Sequence, residues 1–494
     1  MYQLLSAVLL GSLALFVTCY AVSPVSAVDD PVYVTALIEV DRSCVGDVRF
    51  TVNVEALKDL SINEFWLLLP KEPVKWSVVP DAVTRTSDLP EDFEGRLVYS
   101  NVTFDLRPLK GELKVSYSFK HACLLMGDRG LLITPLIVYG PPVRGKLEIS
   151  LTDVALRVIS VDPPATRLRA SNESFEFRHE LPSFINRVVV NFRAIEEPIE
   201  LFTSKGFTVR AQQRYSNDAR TIIDTFTNVT GTLKELFGVE VSALVVDFFL
   251  PRDHRSGPEG YAPVPVGEVG SIKLNLILLR RIQGSLEVTA LHELVHHYLF
   301  AVGVGAGATW FHEGLAVYLS VELGKRLGLR AAEVLEEELR RTATHSDQID
   351  LREWRSGEMR DRAWYAAAYT VIDELFKLDR PGMLKAISDL KSLEGGLSSS
   401  EQVIAHLSKY LNEEAIETLS KVGLTGSKIR TQSSNPATRS GTTLEETPSR
   451  TDDLNTELIE IDGGLLLFTV TAAAVLMAVL LALEARSTWR QNLK

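Results

Sequence analysis

Positive charge and cysteine are both scarce in this chain. Lysine and arginine number 52 against 64 aspartates and glutamates, which gives the 494 residues a formal net charge of −12. Nucleic-acid-binding proteins usually carry a basic surface, so this balance argues against a nucleic-acid partner. The hydrophobic fraction of 46% and the charged fraction of 23% are typical of globular rather than disordered chains. The length leaves room for two or three domains, and no internal repeat is visible.

The N-terminus has no lysine or arginine ahead of its first apolar segment. That segment covers residues 4–22 and is followed by Val25-Ser-Ala27, which has the form of a small-residue cleavage site. Residues 1–27 are therefore predicted to be a secretory signal peptide. An uncleaved membrane anchor is the alternative, because a signal peptide usually begins with positive charge.

A second apolar and uncharged run covers residues 463–483 near the C-terminus. In a helix these 21 residues span about 30 Å, the thickness of the hydrocarbon core of a bilayer, which predicts a transmembrane helix. Basic residues follow the run and acidic residues precede it, so residues 484–494 are expected in the cytoplasm and the rest outside the cell membrane. A buried soluble helix is the alternative. Residues 426–462 have few apolar side chains and many serines and threonines, which predicts a flexible stalk.

Only three cysteines occur in the chain. Cys19 lies in the predicted signal peptide, which leaves Cys44 and Cys123 as a pair in an oxidising compartment. We therefore expect a disulfide between these two residues.

Residues 28–203 are predicted to form an antiparallel, sandwich-like β domain. Apolar and polar residues alternate as they do in half-buried strands around residues 48–54, 113–119, 147–151 and 188–192. Turn signals that contain proline separate these segments, and no helical period is evident.

Residues 204–425 are predicted to form an α/β domain whose second half is mainly helical. We expect a helix over residues 213–237, strands over 242–250 and 271–279, and helices from residue 318 to about residue 424. The strongest helical patterns in that last part cover residues 331–344, 361–378, 398–411 and 413–422.

Two histidines near the centre of this domain have the spacing of metal ligands. Residues 292–296 read HELVH, which fits the H-E-x-x-H pattern of zinc sites. Apolar residues at three- and four-residue spacing predict a helix, on which His292 and His296 lie one turn apart on the same face. Glu293 is rotated away from that face and can reach a water molecule on the metal. An ordinary amphipathic helix with surface histidines is the alternative.

Glu313 is the expected third ligand. A glycine-rich turn over residues 303–307 precedes a new apolar pattern from Trp310, which predicts helix, turn and helix with Glu313 in the first turn of the second helix. Catalytic zinc sites use three protein ligands and leave one position for water. His292, His296 and Glu313 are therefore the predicted zinc ligands.

These motifs together resemble the gluzincin zinc metallopeptidases, especially their aminopeptidase-N-like branch. The resemblance rests on H-E-x-x-H and on W-x-x-E-G-x-A-x-Y at residues 310–318. It implies a thermolysin-like α/β catalytic domain, zinc on His292, His296 and Glu313, and Glu293 as the base that activates water. A β domain ahead of the catalytic domain is also the order found in that branch.

The resemblance extends to a tyrosine on a later helix. The sequence around Tyr365 is similar to the segment that carries the family's tyrosine. The resemblance implies that Tyr365 donates a hydrogen bond to the developing oxyanion. A core aromatic residue is the alternative. Tyr369, one turn further on, is expected to be a packing residue. His297 and His312 flank the ligand positions and are expected to support the ligands or to face solvent.

The family also suggests how a substrate would be held. Residues 271–279 occupy the place of the edge strand that binds the substrate backbone, with an ordinary inner strand as the alternative. Glu268, just before them, would hold the free amine of an aminopeptidase substrate. A turn glutamate that faces solvent is the alternative for Glu268.

The sequence as a whole predicts a membrane-anchored, extracytoplasmic zinc peptidase that acts on peptides or proteins. The choice between exopeptidase and endopeptidase stays open, with a slight preference for an aminopeptidase. The competing class is a catalytically silent gluzincin-like surface protein used for binding or adhesion. The presence of Glu293 argues against that class, because binding alone needs no general base.

Overall fold

The computed structural model describes residues 32–71, 73–89, 98–171, 173–181, 187–251, 259–262, 270–344, 349–355, 362–421 and 424. Contacts divide the chain into two compact units, Met1–Lys428 and Ile429–Lys494, and all the described residues belong to the first. The predicted signal peptide, stalk, transmembrane helix and cytoplasmic tail lie outside the described residues, as does Glu268. Within the described ranges, no helix combines the length and the apolar character needed to cross a membrane.

The region from residue 32 to residue 194 folds mainly into strands, as the alternating pattern predicts. In the second strand Val48, Phe50 and Val52 are buried while Arg49 and Asn53 are exposed, because successive side chains of a strand point to opposite faces. The elements are β1 (Val34–Val40), β2 (Gly46–Asn53), α1 (Val54–Asp59), β3 (Glu64–Pro70), β4 (Trp76–Val79), β5 (Val83–Ser87), β6 (Tyr99–Asp105), β7 (Glu112–Phe119), β8 (Cys123–Met126), β9 (Arg129–Ile133), β10 (Tyr139–Gly140), β11 (Gly145–Thr152), β12 (Ala155–Asp162), β13 (Arg167–Ala170), β14 (Ser174–Leu181) and β15 (Val189–Ala194).

These strands form layered sheets around one buried core. The strand orders are β13-β14-β11-β1-β2-β7-β4, β10-β3-β6-β5 and β12-β15-β9-β8, and side chains from all three sheets meet in the same apolar cluster. The prediction of a purely antiparallel domain is wrong in one pairing, because β1 and β11 are parallel with Val34 opposite Gly145. Alternating burial identifies a half-buried strand but carries no information about the direction of its neighbour.

The predicted disulfide between Cys44 and Cys123 is confirmed. The two Cα atoms lie 4.9 Å apart, and both residues belong to the buried core of the β region. Cys44 lies in the connection between β1 and β2 and Cys123 begins β8, so the bond joins that connection to a strand of another sheet across a sequence separation of 79.

Replacing Cys44 and Cys123 together by alanine should lower the free energy of unfolding by about 2–5 kcal/mol, because the bond restricts a long loop of the unfolded chain. Urea unfolding followed by circular dichroism measures the difference. A reductant should destabilise the unchanged protein by a similar amount and leave the double variant unaffected. Equal unfolding midpoints for the two proteins in oxidising buffer would contradict this prediction.

The region that follows is a mixed sheet covered by helices. Its strands are β16 (Ile199–Ser204), β17 (Phe207–Gln212), β18 (Leu244–Phe249), β19 (Gly260–Tyr261) and β20 (Ser271–Asn275). Its helices are α2 (Ser216–Phe237), α3 (Ser285–Ala301), α4 (Thr309–Arg326), α5 (Arg330–Ala343), α6 (Arg362–Leu378), α7 (Arg380–Asp389), α8 (Ser400–Leu407) and α9 (Glu413–Lys421). The strand order is β16-β17-β18-β20-β19, with β17, β18 and β20 parallel to one another. The predicted α/β region with a mainly helical second half is therefore present.

The helix predicted over residues 213–237 is confirmed as α2, which a short 3-10 turn precedes. Ile222, Phe226 and Leu233 recur at helical spacing and are fully buried on the face that packs against β17. The helix ends at Phe237 and is followed by Gly238, whose φ of 67° is the left-handed conformation that glycine adopts readily.

The strand predicted over residues 271–279 is shorter than expected. It ends at Asn275, and the residues after it form a 3-10 turn, Leu276–Arg280. The side chain of Asn275 accepts a hydrogen bond from the backbone N–H of Ile277 at 3.0 Å. Such a local bond offers the backbone an alternative to the sheet, and an apolar run in the sequence does not reveal it.

A charged network joins the helices α4, α5 and α6. Glu336 of α5 accepts hydrogen bonds from Lys325 of α4 at 2.9 Å, from Arg340 at 2.7 Å and from Tyr369 of α6 at 3.2 Å. Burial would raise the pKa of Glu336, but the bonds from Arg340 and Lys325 outweigh burial and lower the pKa to about 2. Tyr369 is itself buried, so the expected packing role fits its position.

Glu336→Gln should destabilise the fold at neutral pH and have less effect in acid. A carboxyl group with a lowered folded pKa stabilises the protein above its unfolded pKa of about 4.5, and this contribution is lost as the pH falls towards about 2. Unfolding free energies of both proteins, measured across that range, should therefore converge. Glu333→Gln, at an exposed position of the same helix, is the matched control and should show no such trend. A difference independent of pH would contradict the prediction.

Candidate metal centre

The helix α3 presents both predicted histidine ligands. It begins after Gly284, whose φ of 92° is again left-handed, and its apolar residues Leu291 and Leu299 are fully buried. This buried stripe fixes the rotation of the helix. His292 and His296 therefore have to lie on the adjoining face, one turn apart.

The glycine-rich turn after α3 lies close against the chain around residue 397. Val304 forms a parallel β-bridge with Leu397, and the N–H of Gly305 donates to the carbonyl of Leu397 at 2.7 Å. A Cβ atom at Gly307 would lie 2.1 Å from the carbonyl oxygen of Ser398. Only glycine permits this approach, and the short turn directs α4 back towards α3.

The helix α4 begins at Thr309, one residue earlier than the pattern predicts. Glu313 is its fifth residue and so starts the second turn rather than the first. From there its carboxylate faces the two histidines: one oxygen lies 3.3 Å from Nε2 of His292 and 3.5 Å from Nε2 of His296. The Nε2 atoms of the two histidines are 2.9 Å apart.

The three side chains form a donor set that suits zinc. Their ligand atoms lie within 4.8 Å of one another, and they form the one such cluster of metal-ligand residues in the described part of the chain. Ligand atoms at zinc bond lengths of about 2.0–2.1 Å lie about 3.3 Å apart around a tetrahedral ion, so the observed separations need only a small opening of the histidine pair. Their roles as metal ligands stay a prediction.

Glu313 is held in its ionised form. Burial would raise its pKa, but the neighbouring imidazoles of His296 and His292 outweigh burial and keep the pKa well below its usual range. The side chains of His292 and Glu313 are 18% and 21% exposed, so the centre is reachable from solvent.

Glu293 lies beside the donor set and is buried, with 5% of the residue exposed. Burial raises the pKa of Glu293 to about 7, and the negative charge of Glu313 acts in the same direction. A cation bound by His292, His296 and Glu313 would lower the pKa of Glu293. A carboxylate in this position can exchange a proton with a water molecule held at the cluster.

β19 is the edge strand of the sheet beside the centre. β20, formed by part of the segment predicted to be the edge strand, lies inside the sheet. β20 pairs with β18 on one side and with β19 on the other, so the prediction that residues 271–279 form the edge strand was wrong. β19 has only two residues and no alternating pattern, which is why the sequence did not reveal it. Glu268, the predicted amine anchor, lies outside the residues that the structure describes.

Gly260 of β19 brings the backbone of that edge strand against Glu293. A Cβ atom at this position would lie 3.0 Å from Oε1 of Glu293 and 2.9 Å from a methyl group of Thr289. Gly260 was not singled out in the sequence. Its neighbours in the chain carry no motif, so only the folded position shows its importance.

On the expectation that Glu293 is the general base of a peptidase, Gly260→Ala should displace Glu293 or the edge strand and lower kcat/KM by about 10²-fold, because small misplacements of catalytic groups are costly. Zinc content should be unchanged, since no ligand is touched. Steady-state kinetics and metal analysis measure the two quantities. Gly231→Ala is the matched control, because a Cβ atom there meets nothing within 4 Å. Full activity of Gly260→Ala would show that the contact is unimportant.

Tyr365 lies in the first turn of α6, within range of the negative charges of Glu313 and Glu293. Burial raises its pKa, and the charges of Glu313 and Glu293 raise it further, so the phenol stays a proton donor. The ring of Trp354 packs edge-on against Tyr365 with ring centroids 4.9 Å apart. This contact restricts the orientation of the Tyr365 ring. The sequence alone gave no indication of Trp354.

Gly314, next to Glu313, sets the distance between α4 and α6. A Cβ atom at Gly314 would lie 2.9 Å from the carbonyl oxygen of Ala368 and 3.0 Å from the side chain of Ile372. The two helices therefore touch through backbone at the level of the centre. This close approach explains why a glycine follows Glu313 in the motif.

The two remaining histidines are both buried, so neither faces solvent. His312 contacts His296 directly, with their Nδ1 atoms 2.7 Å apart. Both ring nitrogens of His297 lack a hydrogen-bond partner within the described ranges, and burial lowers its pKa to about 4. The sequence alone did not show which group supports His296, since that requires the packing of α3 against α4.

Comparison with known proteins finds a likeness among solved structures only. No protein-family model matches the chain, and no curated protein matches it. Among solved structures, the fold is similar to an M1 zinc metallopeptidase from Deinococcus radiodurans, a point mutant bound to a Tyr-Ser-Ala substrate. The match covers 80% of this chain and 93% of that one, with 14% sequence identity and a TM-score of 0.33. So distant a likeness carries no argument about function, which has to rest on the side-chain geometry of the centre.

Proposed function

We propose that the chain is a zinc-dependent peptidase of the gluzincin type. The observation that carries the proposal is the convergence of His292, His296 and Glu313 with Glu293 buried beside them. Two imidazoles, a carboxylate and an adjacent second carboxylate are the groups that metal-assisted hydrolysis requires. The proposed substrate is a peptide or protein.

His292, His296 and Glu313 would hold the ion. Zinc supplies a Lewis acid that lowers the pKa of a water molecule and polarises a carbonyl group. The partial exposure of the cluster leaves room for the substrate to approach. The three ligand side chains come from two helices whose relative position is fixed by the glycine-rich turn.

Glu293 would act as the general base. Its carboxylate accepts the proton of the attacking water and later passes it to the leaving amine. Burial raises the pKa of Glu293, which favours uptake of a proton by its carboxylate. The backbone of Gly260 lies close to its side chain and limits the space available to it.

Tyr365 would stabilise the charge that develops on the carbonyl oxygen of the substrate. Its phenol is a permanent donor at neutral pH, and the influence of the Glu313 and Glu293 charges on its pKa supports a place for Tyr365 beside the reacting groups. A preorganised donor of this kind contributes about 3–4 kcal/mol to lowering the barrier. The contact with Trp354 supports preorganisation.

The proposal includes a location outside the cytoplasm with one membrane anchor. It is supported by the apolar run over residues 463–483, the basic residues after it and the apolar N-terminus. The disulfide between Cys44 and Cys123 agrees with an oxidising compartment.

The test is cleavage by the purified full-length protein. A mixture of peptides should be hydrolysed, the activity should disappear with a zinc chelator, and added zinc should restore it. Parallel assays with free and N-acetylated peptides would separate the two modes of action, since an aminopeptidase cleaves only peptides with a free amine. A protein that binds zinc but cleaves no peptide would instead support the silent surface protein.

A further inference from the structure

His296 has a different neighbour at each of its two ring nitrogens. Nε2 faces the proposed metal position, 2.9 Å from Nε2 of His292 and 3.5 Å from the carboxylate of Glu313. Nδ1 faces the other way and lies 2.7 Å from Nδ1 of His312. The rings of His296 and His312 are nearly parallel, with centroids 4.6 Å apart.

Only one proton fits between two nitrogen atoms at that distance. A histidine that binds a metal through Nε2 is neutral and carries its proton on Nδ1. Nδ1–H of His296 must then donate, and Nδ1 of His312 must accept. It follows that His312 carries its own proton on Nε2.

The surroundings of His312 agree with a dedicated role in this contact. The residue is 4% exposed, and the ring of Phe300 covers it with centroids 4.5 Å apart. Its Nε2 atom is buried and has no hydrogen-bond partner in the described part of the chain. A buried polar atom without a partner is unfavourable, so packing alone would favour an apolar side chain at this position.

We propose that His312 is the positioning residue for His296, which it holds in the Nδ1–H tautomer with Nε2 directed at the metal. The inference rests on the proposed zinc site and goes beyond it, since it assigns a donor and an acceptor to each of the two rings. Groups that orient a ligand histidine in this way tune both metal affinity and activity.

Two variants, each with four side-chain heavy atoms branched at Cγ, separate the hydrogen bond from packing. His312→Asn places an oxygen acceptor where Nδ1 lies, whereas His312→Leu fills the site without an acceptor. Competition with a chromophoric chelator gives the zinc affinity of each full-length protein, and thermal unfolding without metal shows whether each is folded. His312→Leu should bind zinc about 10–100-fold more weakly than the unchanged protein. His312→Asn should recover most of that loss.

The outcomes distinguish this inference from the proposed function. If the unchanged protein binds no zinc, the proposed function is wrong and the inference falls with it. If it binds zinc and the two variants are equally weak or equally strong, the zinc site stands and the inference is overturned. Long-range proton–nitrogen NMR spectra of the zinc-loaded protein give a second readout: His312 should be protonated at Nε2, and protonation at Nδ1 would also overturn the inference.

Discussion

Glu293→Gln should keep zinc bound while kcat/KM falls by roughly 10²- to 10⁴-fold, the usual contribution of a general base. The amide has the same shape as the carboxylate and fits the same buried position beside Gly260, but it cannot accept a proton. Neutral glutamine removes a buried ionisable group, so the fold should not be weakened.

Three measurements check this result together: peptide hydrolysis, bound zinc and thermal unfolding. The variant should differ from the unchanged protein in peptide hydrolysis only. Unchanged hydrolysis with zinc still bound would end the general-base role of Glu293. Loss of zinc would show that the carboxylate acts on the metal rather than on the water.

Removing any one of the three predicted zinc ligands should cause a large loss of both zinc binding and peptide hydrolysis. In His292→Ala, His296→Ala and Glu313→Gln the donor set is reduced to two good ligands, too few for a catalytic zinc site. We expect zinc affinity to fall by at least about 10²-fold and peptide hydrolysis to fall to background. Metal analysis after dialysis and chelator competition measure the affinity.

Glu333→Gln serves as the control, since it makes the same chemical change as Glu313→Gln at an exposed position away from the centre. It should bind zinc and cleave peptides like the unchanged protein. Full zinc occupancy in Glu313→Gln would show that the third ligand is a different group and that the gluzincin assignment is wrong.

The donor cluster could be anticipated from the sequence because its geometry is local. His292 and His296 belong to one helix, where their spacing fixes their relative direction. Glu313 follows after a short glycine-rich turn that permits few paths. The helix boundaries depend on nearby residues and were likewise close to the prediction.

Features that depend on distant packing could not be anticipated. The parallel pairing of β1 with β11 joins segments about a hundred residues apart, and both directions of pairing produce the same alternation. The two-residue strand β19 is too short to leave a pattern. The contact between His296 and His312 exists only because α3 packs against α4.

The close contact at Gly314 also limits how the centre can move. Because backbone touches side chain and backbone there, α4 and α6 cannot slide past each other without a steric clash. Glu313 and Tyr365 should therefore travel together as one rigid body. Any opening that admits a substrate is expected on the β19 side, because β19 pairs with β20 over only two residues in the part of the chain that the structure describes. Hydrogen exchange would show this as rapid exchange in β19 and slow exchange in α4 and α6.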